Sequence, residues 1–318
     1  MVSPDFAPPP NNGSIPFAEL ELQRLEVRQT TNRYKVGIVT IVTVAVLYFL
    51  VLSLKGGDVP IPVIVGPPAA LVLLLEFLIR RKSAAFNNSY LNAILPPFLE
   101  QIDRSIEYVH EGGISETEFK NSELFRGFNR YKSSNLIRGS LHQTSFTMGF
   151  VHAENKRSGK NSSTGTIFKG VILIADFNKH FRSKVRLFPD GSENFLWGLG
   201  RKLQPNHQAG TSLTRMDNQE FENMFKVYVS DEVEARYILT QDLMSRILEM
   251  SRRLGGSIKI AFNEQLLTIA VPTDHFLKVS LNTPADSDPS IQELRLEIEA
   301  FVSIIDQLNL NTRIWTKQ

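Results

Sequence analysis

The chain contains 318 residues, carries a net charge of +2 and has no cysteine. The absence of cysteine excludes disulfides, thiolate metal sites and cysteine nucleophiles, and it is typical of a reducing compartment. The small basic excess is not concentrated anywhere, and the aromatic and basic pattern of an RNA-binding sheet is missing, so we expect no nucleic-acid partner.

Residues 1–17 are rich in proline, asparagine and glycine. They predict a disordered N-terminus, and they lack the basic start and early apolar core of a cleaved signal peptide. Residues 18–35 combine leucines with alternating charges and predict a juxtamembrane helix. Either an amphipathic helix lying on the membrane or a solvated extension of the next helix fits this pattern.

Two apolar runs follow, at 36–54 and 59–79. Each has about the 20 residues that a helix needs to cross a hydrocarbon core ~30 Å thick. Four prolines interrupt the second run: Pro60, Pro62, Pro67 and Pro68. Because proline bends helices, a re-entrant half-span is the alternative for that run. We predict a two-helix transmembrane hairpin over residues 36–82.

Basic residues flank this hairpin on its outer sides. Four precede the first apolar run and three follow the second: Arg24, Arg28, Arg33 and Lys35, then Arg80, Arg81 and Lys82. The connecting residues 55–58 contain a single lysine. Since positive residues are retained on the cytoplasmic side, we predict a two-pass protein of the inner membrane, with the N-terminus and the C-terminal part both cytoplasmic.

Residues 83–124 predict linker helices. A short connection at 84–90 precedes Pro96 and Pro97, which are tolerated in the first turn of a helix. Apolar residues then recur every three or four positions as far as Val109. Ser115 and Glu118 have the spacing of a capping box, which opens a second, short helix.

Residues 125–318 predict a cytoplasmic α+β domain. Alternating or wholly apolar segments predict strands at 136–141, 143–152, 168–177, 185–187, 226–229, 257–262, 266–271 and 275–281. Thr240 caps one helix, and Ser290 with Glu293 caps a C-terminal amphipathic helix. Because strands follow one another in hairpins and helices flank them, we expect a mainly antiparallel sheet with flanking helices.

Acidic residues occur twice at a spacing of three, as Asp217 with Glu220 and Asp231 with Glu234. Such pairs are typical of capping boxes at helix starts. We predict caps at both places. The alternative is that the carboxylates form a catalytic pair.

Two further polar pairs have a structural interpretation. Glu232 and Arg236 are spaced four apart, which supports a helix, and His152 with Glu154 shares a strand face at a loop edge, where a solvated pair is commoner than a metal site. No phosphate-loop, esterase or metalloprotease motif occurs. We therefore expect no catalytic residue, no cofactor and no metal.

The connection at 189–213 is long and mostly polar, and loops of that length are often functional. It contains an apolar, glycine-punctuated stretch with Phe195 and Trp197, followed by Arg201 and Lys202. Aromatic groups beside basic ones suit a lipid headgroup layer or a partner protein. We predict such a contact for these four residues, the aromatic–basic cluster, with packing onto the sheet as the alternative.

The segment 221–247, FENMFKVYVSDEVEARYILTQDLMSRI, resembles the hallmark of the bacterial domain-of-unknown-function family numbered 3137. The residues singled out from it are Phe221, Phe225, Tyr228, Asp231, Glu234, Arg236 and Tyr237. The resemblance covers about residues 125–315 and implies two membrane helices ahead of the domain and a LemA-like membrane protein as partner. It implies no biochemical activity.

The hallmark has a structural interpretation without the family. Tyr228 would pack a strand between two capped helices, and Phe221, Phe225 and Tyr237 would supply large apolar area to one aromatic seam. Burying one such ring stabilises a fold by ~1.5–3 kcal/mol. Recognition of a ligand or partner by Arg236 or Tyr237 is the alternative.

These features predict a bacterial, membrane-anchored protein whose cytoplasmic domain binds or scaffolds a partner at the inner membrane face. Two alternatives stay open. An enzyme acting on a membrane-proximal substrate would use Asp231, Glu234 or His152, and it would need a deep pocket lined by convergent polar groups. A lipid- or ligand-sensing module would use the aromatic–basic cluster.

Overall fold

The computed structural model describes residues 17–54, 61–109, 111–157, 164–176, 182–190, 210–284 and 288–307. The chain divides into two compact units. The first comprises Met1–Pro97 with Lys278–Leu294, and the second comprises Phe98–Leu277 with Arg295–Gln318. The N-terminal residues 1–16 lie outside the described part of the chain.

Helix α1 spans Phe17–Leu54, so the predicted juxtamembrane segment and the first apolar run form one helix. Its less exposed side chains recur at alternating spacings of four and three. They are Leu20, Arg24, Val27, Thr31, Tyr34, Ile38, Ile41 and Ala45. A stripe with this spacing is typical of a helix that packs along a second helix.

Helix α2 spans Ile61–Ile102 and runs through Pro67, Pro68, Pro96 and Pro97 without a break. The predicted connection at 84–90 and the new helix start at Pro96 are therefore wrong. The reason is tertiary, because the chain buries one side of this stretch, including Phe86, Tyr90, Leu91, Leu95 and Leu99. That burial outweighs the local helix-breaking signals.

The two helices lie against each other within the first unit. A side chain at Gly37 would meet Leu75 Cδ1 at 3.9 Å. Gly37 and Leu75 are nearly equally distant from the connecting residues 55–60, so the helices run antiparallel. The less exposed residues of α2 show the same alternating spacing as those of α1, at Pro68, Val72, Leu75, Ile79, Lys82 and Phe86.

Among the described residues, one helix, Ala18–Leu54, is long and apolar enough to cross a membrane, and none of its most apolar stretch is buried. The second predicted span begins within residues that the structure does not describe. Large apolar side chains of α2 are nevertheless exposed at Val65, Leu71, Leu73, Leu74 and Phe77.

The second unit contains a nine-stranded sheet in the order β1-β2-β3-β4-β9-β8-β5-β7-β6, and every pairing is antiparallel. The strands are β1 Glu107–Val109, β2 Arg130–Leu141, β3 Thr144–Lys156, β4 Thr164–Asp176, β5 Val185–Pro189, β6 Ser212–Thr214, β7 Phe225–Val229, β8 Lys259–Asn263 and β9 Leu266–Pro272. The predicted α+β class with an antiparallel sheet is confirmed. The short edge strands β1 and β6 were not predicted, and β1 replaces the end of a predicted linker helix.

Five further helices accompany the sheet: α3 Glu116–Asn121, α4 Gln219–Met224, α5 Glu232–Ile238, α6 Gln241–Arg253 and α7 Asp288–Gln307. The capping box of Ser115 and Glu118 is confirmed at α3, and the Thr240 cap is confirmed at α6. One sheet face is covered by Phe119 and Phe125, from α3 and the chain after it, packed with Phe168, Ile172 and other apolar residues of the sheet.

The strand predicted at 275–281 does not form. Residues 273–284 are irregular, because their backbone groups bond to side chains instead of to a neighbouring strand. Leu277 N donates to Glu297 Oε2 at 3.0 Å, Val279 N donates to Asn87 Oδ1 at 2.8 Å, and Leu281 O accepts from Arg24 Nη1 at 2.7 Å. The last two bonds join this segment to α2 and to α1.

Candidate functional site

The hallmark segment folds into α4, β7 and α5, and its first three aromatic residues are buried. Phe221 and Phe225 lie side by side with ring centroids 5.3 Å apart. Tyr228 meets Phe188 of β5 edge to face at 5.8 Å. These contacts form the aromatic seam that the sequence predicted, and they fix β7 between β5 and β6.

We predicted Asp217 as the cap of α4, but the cap is Asn218. Asn218 Oδ1 accepts from Phe221 N at 3.0 Å, because the helix starts one residue later than the acidic pair suggested. Asp217 is left to pair with Arg236 Nη1 at 2.8 Å. Glu220, the other half of the predicted box, forms an ion pair with Arg252 of α6.

The Asp231 cap is confirmed, since its Oδ1 accepts from Val233 N at 2.9 Å and from Glu234 N at 3.1 Å. In a capping box, the side chain of Glu234 would accept from the backbone of Asp231. Glu234 bonds elsewhere. Its two oxygens accept from Arg182 N at 2.9 Å and Ser183 N at 2.6 Å, ahead of β5. Both carboxylates thus hold backbone in place, which supports the structural interpretation over a catalytic pair.

The outer face of α5 is exposed. Tyr237 is 75% exposed and Val233, one turn earlier, is 66% exposed. Tyr237 is therefore not part of the predicted seam, and the alternative of recognition by this residue gains support. Two large apolar side chains one turn apart on a helix form the kind of surface that partners cover.

Arg236 lies beside that face. The predicted pair between Arg236 and Glu232 does not form. Its guanidinium bonds to Asp217 and, through Nη2, to Arg215 O at 3.1 Å. Glu232 Oε1 instead accepts from Thr214 Oγ1 at 3.1 Å. These bonds tie α5 to edge strand β6 and the turn after it, because the tertiary partners lie closer than the helical neighbour.

His152 and Glu154 approach each other to 3.5 Å, and Glu154 also lies 3.8 Å from Arg130. Both side chains are partly exposed, as expected of a surface pair. Within the described ranges, no group of three histidine or acidic side chains is placed to hold a metal ion.

A charged cluster that the sequence did not predict surrounds Glu123. This residue follows α3 with a left-handed φ of 53°, which costs a non-glycine residue ~1–2 kcal/mol. Its carboxylate contacts Lys184 Nζ at 2.5 Å, Arg126 at 3.7 Å and the guanidinium of Arg186, which is buried. Burial alone would raise the pKa of Glu123, but the Lys184 hydrogen bond and the surrounding cations lower it below its ordinary value.

Lys259, at the start of β8, lies next to this cluster in a different environment. Its ammonium is 4.6 Å from the ring centroid of Phe125 and 5.9 Å from that of Phe188. Burial lowers the pKa of Lys259 to about 8. No periodicity or motif distinguishes this lysine, because only the fold brings the two rings to it.

The predicted contact residues Phe195, Trp197, Arg201 and Lys202 lie outside the described residues. The connection that carries them leaves the described chain after Asp190, next to β5, and returns at Gly210, just before edge strand β6.

Residues 166–310 match the family model described as protein of unknown function, DUF3137, which confirms the predicted resemblance. No curated protein matches the chain. Among solved structures, the mycobacterial trehalose monomycolate transport factor A, TtfA, is similar with a TM-score of 0.37 and 10% identity, over 67% of this chain and 90% of that one.

Proposed function

We propose that this chain, in which residues 166–310 match DUF3137, is a two-pass protein of the inner membrane that holds a cytoplasmic binding or scaffold module at the membrane face. The observation that carries the proposal is the exposed apolar surface of α1, where the 36–54 stretch is left uncovered by the described residues over most of its circumference. Water would make that surface very costly, whereas hydrocarbon would not.

A second pass is supported by α2. This helix runs past the prolines at 67 and 68 instead of turning back, and its apolar side chains are exposed on the outer side between Val65 and Phe77. Two antiparallel helices with lipid-facing outer surfaces and a shared seam are what a membrane hairpin requires.

The orientation follows from charge. Exposed basic residues lie on both helices just beyond their apolar stretches, at Arg28, Arg33 and Lys35 of α1 and at Arg80 and Arg81 of α2. Arginine and lysine are retained on the cytoplasmic side. Both ends of the hairpin, and the sheet that follows it, would then lie in the cytoplasm.

For the binding module we propose the outer face of α5 as the contact surface, with Tyr237 as its centre. The neighbouring acidic residues Asp231 and Glu234 are engaged in backbone hydrogen bonds, so the hallmark supports recognition more than chemistry. The partner that we propose first is a membrane protein of LemA type, as the family resemblance implies. The aromatic–basic cluster is a second proposed contact, for lipid or for the same partner.

Topology is testable with unusual clarity, because the chain has no cysteine. Single substitutions Gln29→Cys, Asp58→Cys and Ser245→Cys place one thiol before the hairpin, one between the spans and one on α6. In intact spheroplasts, a membrane-impermeant maleimide should label only the cysteine at 58, and permeabilised membranes should label all three. Labelling at position 245 in intact spheroplasts would support the half-span and overturn the proposed topology.

The contact surface is testable by site-specific photo-crosslinking in cells. A benzophenone amino acid at Tyr237 should give a discrete adduct that includes a co-expressed LemA-type protein, and the same group at Leu296 should not. Leu296 is the matched control, since this leucine of α7 is also highly exposed. Equal adducts at both positions, or none at 237, would argue against α5 as the binding face.

The aromatic–basic cluster needs a separate measurement. Trp197→Ala in the full-length protein should reduce binding to anionic vesicles or to the purified partner. Unchanged binding to both would retire this second contact and leave the α5 proposal intact.

A further inference from the structure

The amine of Lys259 is enclosed by aromatic groups. The ring centroid of Phe125, from the chain after α3, lies 4.6 Å from Nζ, and that of Phe188 of β5 lies 5.9 Å from it. The residue as a whole is neither fully buried nor fully exposed. An ammonium in such surroundings gains some cation–π attraction but loses much of its hydration.

In the described part of the chain, no carboxylate compensates for that loss. Glu123, two residues before Phe125, is held by Arg186, Lys184 and Arg126. Asp190, after β5, pairs with Lys226 at 3.1 Å. Within the described residues, Lys259 forms no ion pair.

We propose that Lys259 is an acylation site whose Nζ takes the acyl group of a small activated donor of the acyl phosphate class. The lone pair of the neutral amine attacks the carbonyl carbon, the bond from that carbon to the phosphate oxygen breaks, and inorganic phosphate leaves. The amine loses one proton to water, and the product is a neutral amide.

The surroundings favour this product in two ways. They favour the neutral amine over the ammonium, and the amine is the form that reacts. With a pKa of about 8, roughly a quarter of the Lys259 side chains are neutral at pH 7.5, against about 0.1% for an ordinary lysine. The amide also removes an unpaired charge from between two rings, so the modified state fits the site better than the ammonium does.

Neighbouring lysines provide matched comparisons on the same molecule. Lys184, just before β5, is partly exposed and forms an ion pair with Glu123. Lys132 of β2 is exposed on the sheet surface. If exposure governed the reaction, both would be modified before Lys259. If desolvation without a counter-charge governs it, Lys259 comes first.

The test is a competition on the intact, detergent-solubilised chain. The protein is incubated with acetyl phosphate between pH 6.5 and 10, and the initial rate of acetylation at each lysine is measured by peptide mass spectrometry. We expect Lys259 to react about tenfold faster than Lys132 and Lys184 at pH 7.5, with a rate that levels off above pH 8.5 while the rate at Lys132 continues to rise.

A variant sharpens the test. Phe188→Leu opens one side of the site to water, so the preference for Lys259 over Lys132 should fall severalfold, and the plateau should move to higher pH. A Lys259 rate equal to or below that of Lys132 in the unmodified chain would overturn the proposal, and that result requires no variant to fold. A preference that persists unchanged in Phe188→Leu would overturn the assignment to desolvation.

Discussion

The helical hairpin and the sheet domain use apolar residues in opposite ways. In α1 the large apolar side chains from Val36 to Leu54 are mostly exposed, whereas in the sheet the strands β4, β8 and β9 bury nearly all of theirs. Among the described residues of the sheet domain the exceptions are few, and the two most exposed are Tyr237 and Val233 on the outer face of α5. A large continuous apolar surface and a single exposed aromatic therefore call for different partners: the first suits a bilayer and the second suits a protein.

The two units are similar in how they accommodate buried charge. Each unit contains one buried arginine held by a glutamate: Arg24 with Glu21 in the hairpin and Arg186 with Glu123 in the sheet domain. Each unit therefore satisfies a charge that it removes from water. Lys259 departs from this pattern, since it is desolvated and has no acidic partner among the described residues.

The largest effect should come from placing charge on the exposed apolar surface of α1. Val46→Arg with Leu50→Arg should cost about 6 kcal/mol of insertion, because arginine costs ~3 kcal/mol at the centre of a span. On ultracentrifugation, the double variant should be found in the supernatant instead of the membrane pellet. The matched control, Leu213→Arg with Val233→Arg, changes equally exposed apolar residues of the sheet domain and should stay in the membrane. If the α1 variant and the sheet-domain variant fractionated identically, the exposed apolar surface of α1 would have no special role in membrane attachment.

Removal of the Glu123 carboxylate, which contacts Arg186, should have the next largest effect. Glu123→Ala removes the carboxylate that contacts the buried guanidinium of Arg186, which should cost about 3 kcal/mol even though Glu123 itself is partly exposed. Glu116→Ala, which breaks the exposed pair with Lys120, should cost under ~1 kcal/mol. Denaturant melts of the detergent-solubilised variants measure both. Equal losses would mean that Arg186 finds another partner.

Lys259 should make stability depend on pH in an unusual direction. Its lowered pKa means that the folded state disfavours the proton that the unfolded state keeps. The stability of the wild type is therefore reduced below pH 8 and recovers as pH rises from about 8 toward ~10.4, the ordinary lysine value. Lys259→Met should gain on the order of 2 kcal/mol at pH 7 and nothing above pH 10.5. Thermal melts across this range give the comparison, and a gain that is flat with pH would exclude titration as its source.

The Asp231 cap should contribute a smaller amount. Asp231→Ala removes the acceptor for two amides at the start of α5 and should destabilise by ~1 kcal/mol, whereas Asp231→Asn should retain most of that stability. Asp217→Ala, whose side chain does not cap α4, should have less effect. Melting temperatures rank the three, and an equal loss for Asp217→Ala and Asp231→Ala would contradict the cap assignment.

Tyr237→Ser should change stability least, by less than ~0.5 kcal/mol, because the side chain is exposed. It should nevertheless reduce binding of the partner that crosslinks at this position. Loss of stability together with binding would show that the residue serves the fold. Loss of binding alone is the expected outcome.

Local patterns accounted for much of this protein. The apolar runs, the strand periodicity of β2 to β5 and of β7 to β9, and the caps at Ser115, Asp231 and Thr240 depend on residues within a few positions of one another, so the sequence was enough to predict them. The same applies to the hallmark aromatics at 221, 225 and 228, whose size and spacing indicated burial.

The tertiary structure decided the rest, because the partners are far apart in the chain. Packing of Phe86 and Tyr90 kept α2 helical where proline suggested a break, and bonds to Asn87 and Arg24 replaced the strand predicted at 275–281. Glu234 was drawn to the backbone before β5, Tyr237 was left exposed, and Lys259 was enclosed by rings from Phe125 and Phe188. A short-range pattern records which residues prefer helix or strand, but burial and the loss of hydration that shifts a pKa depend on which distant groups the fold brings together.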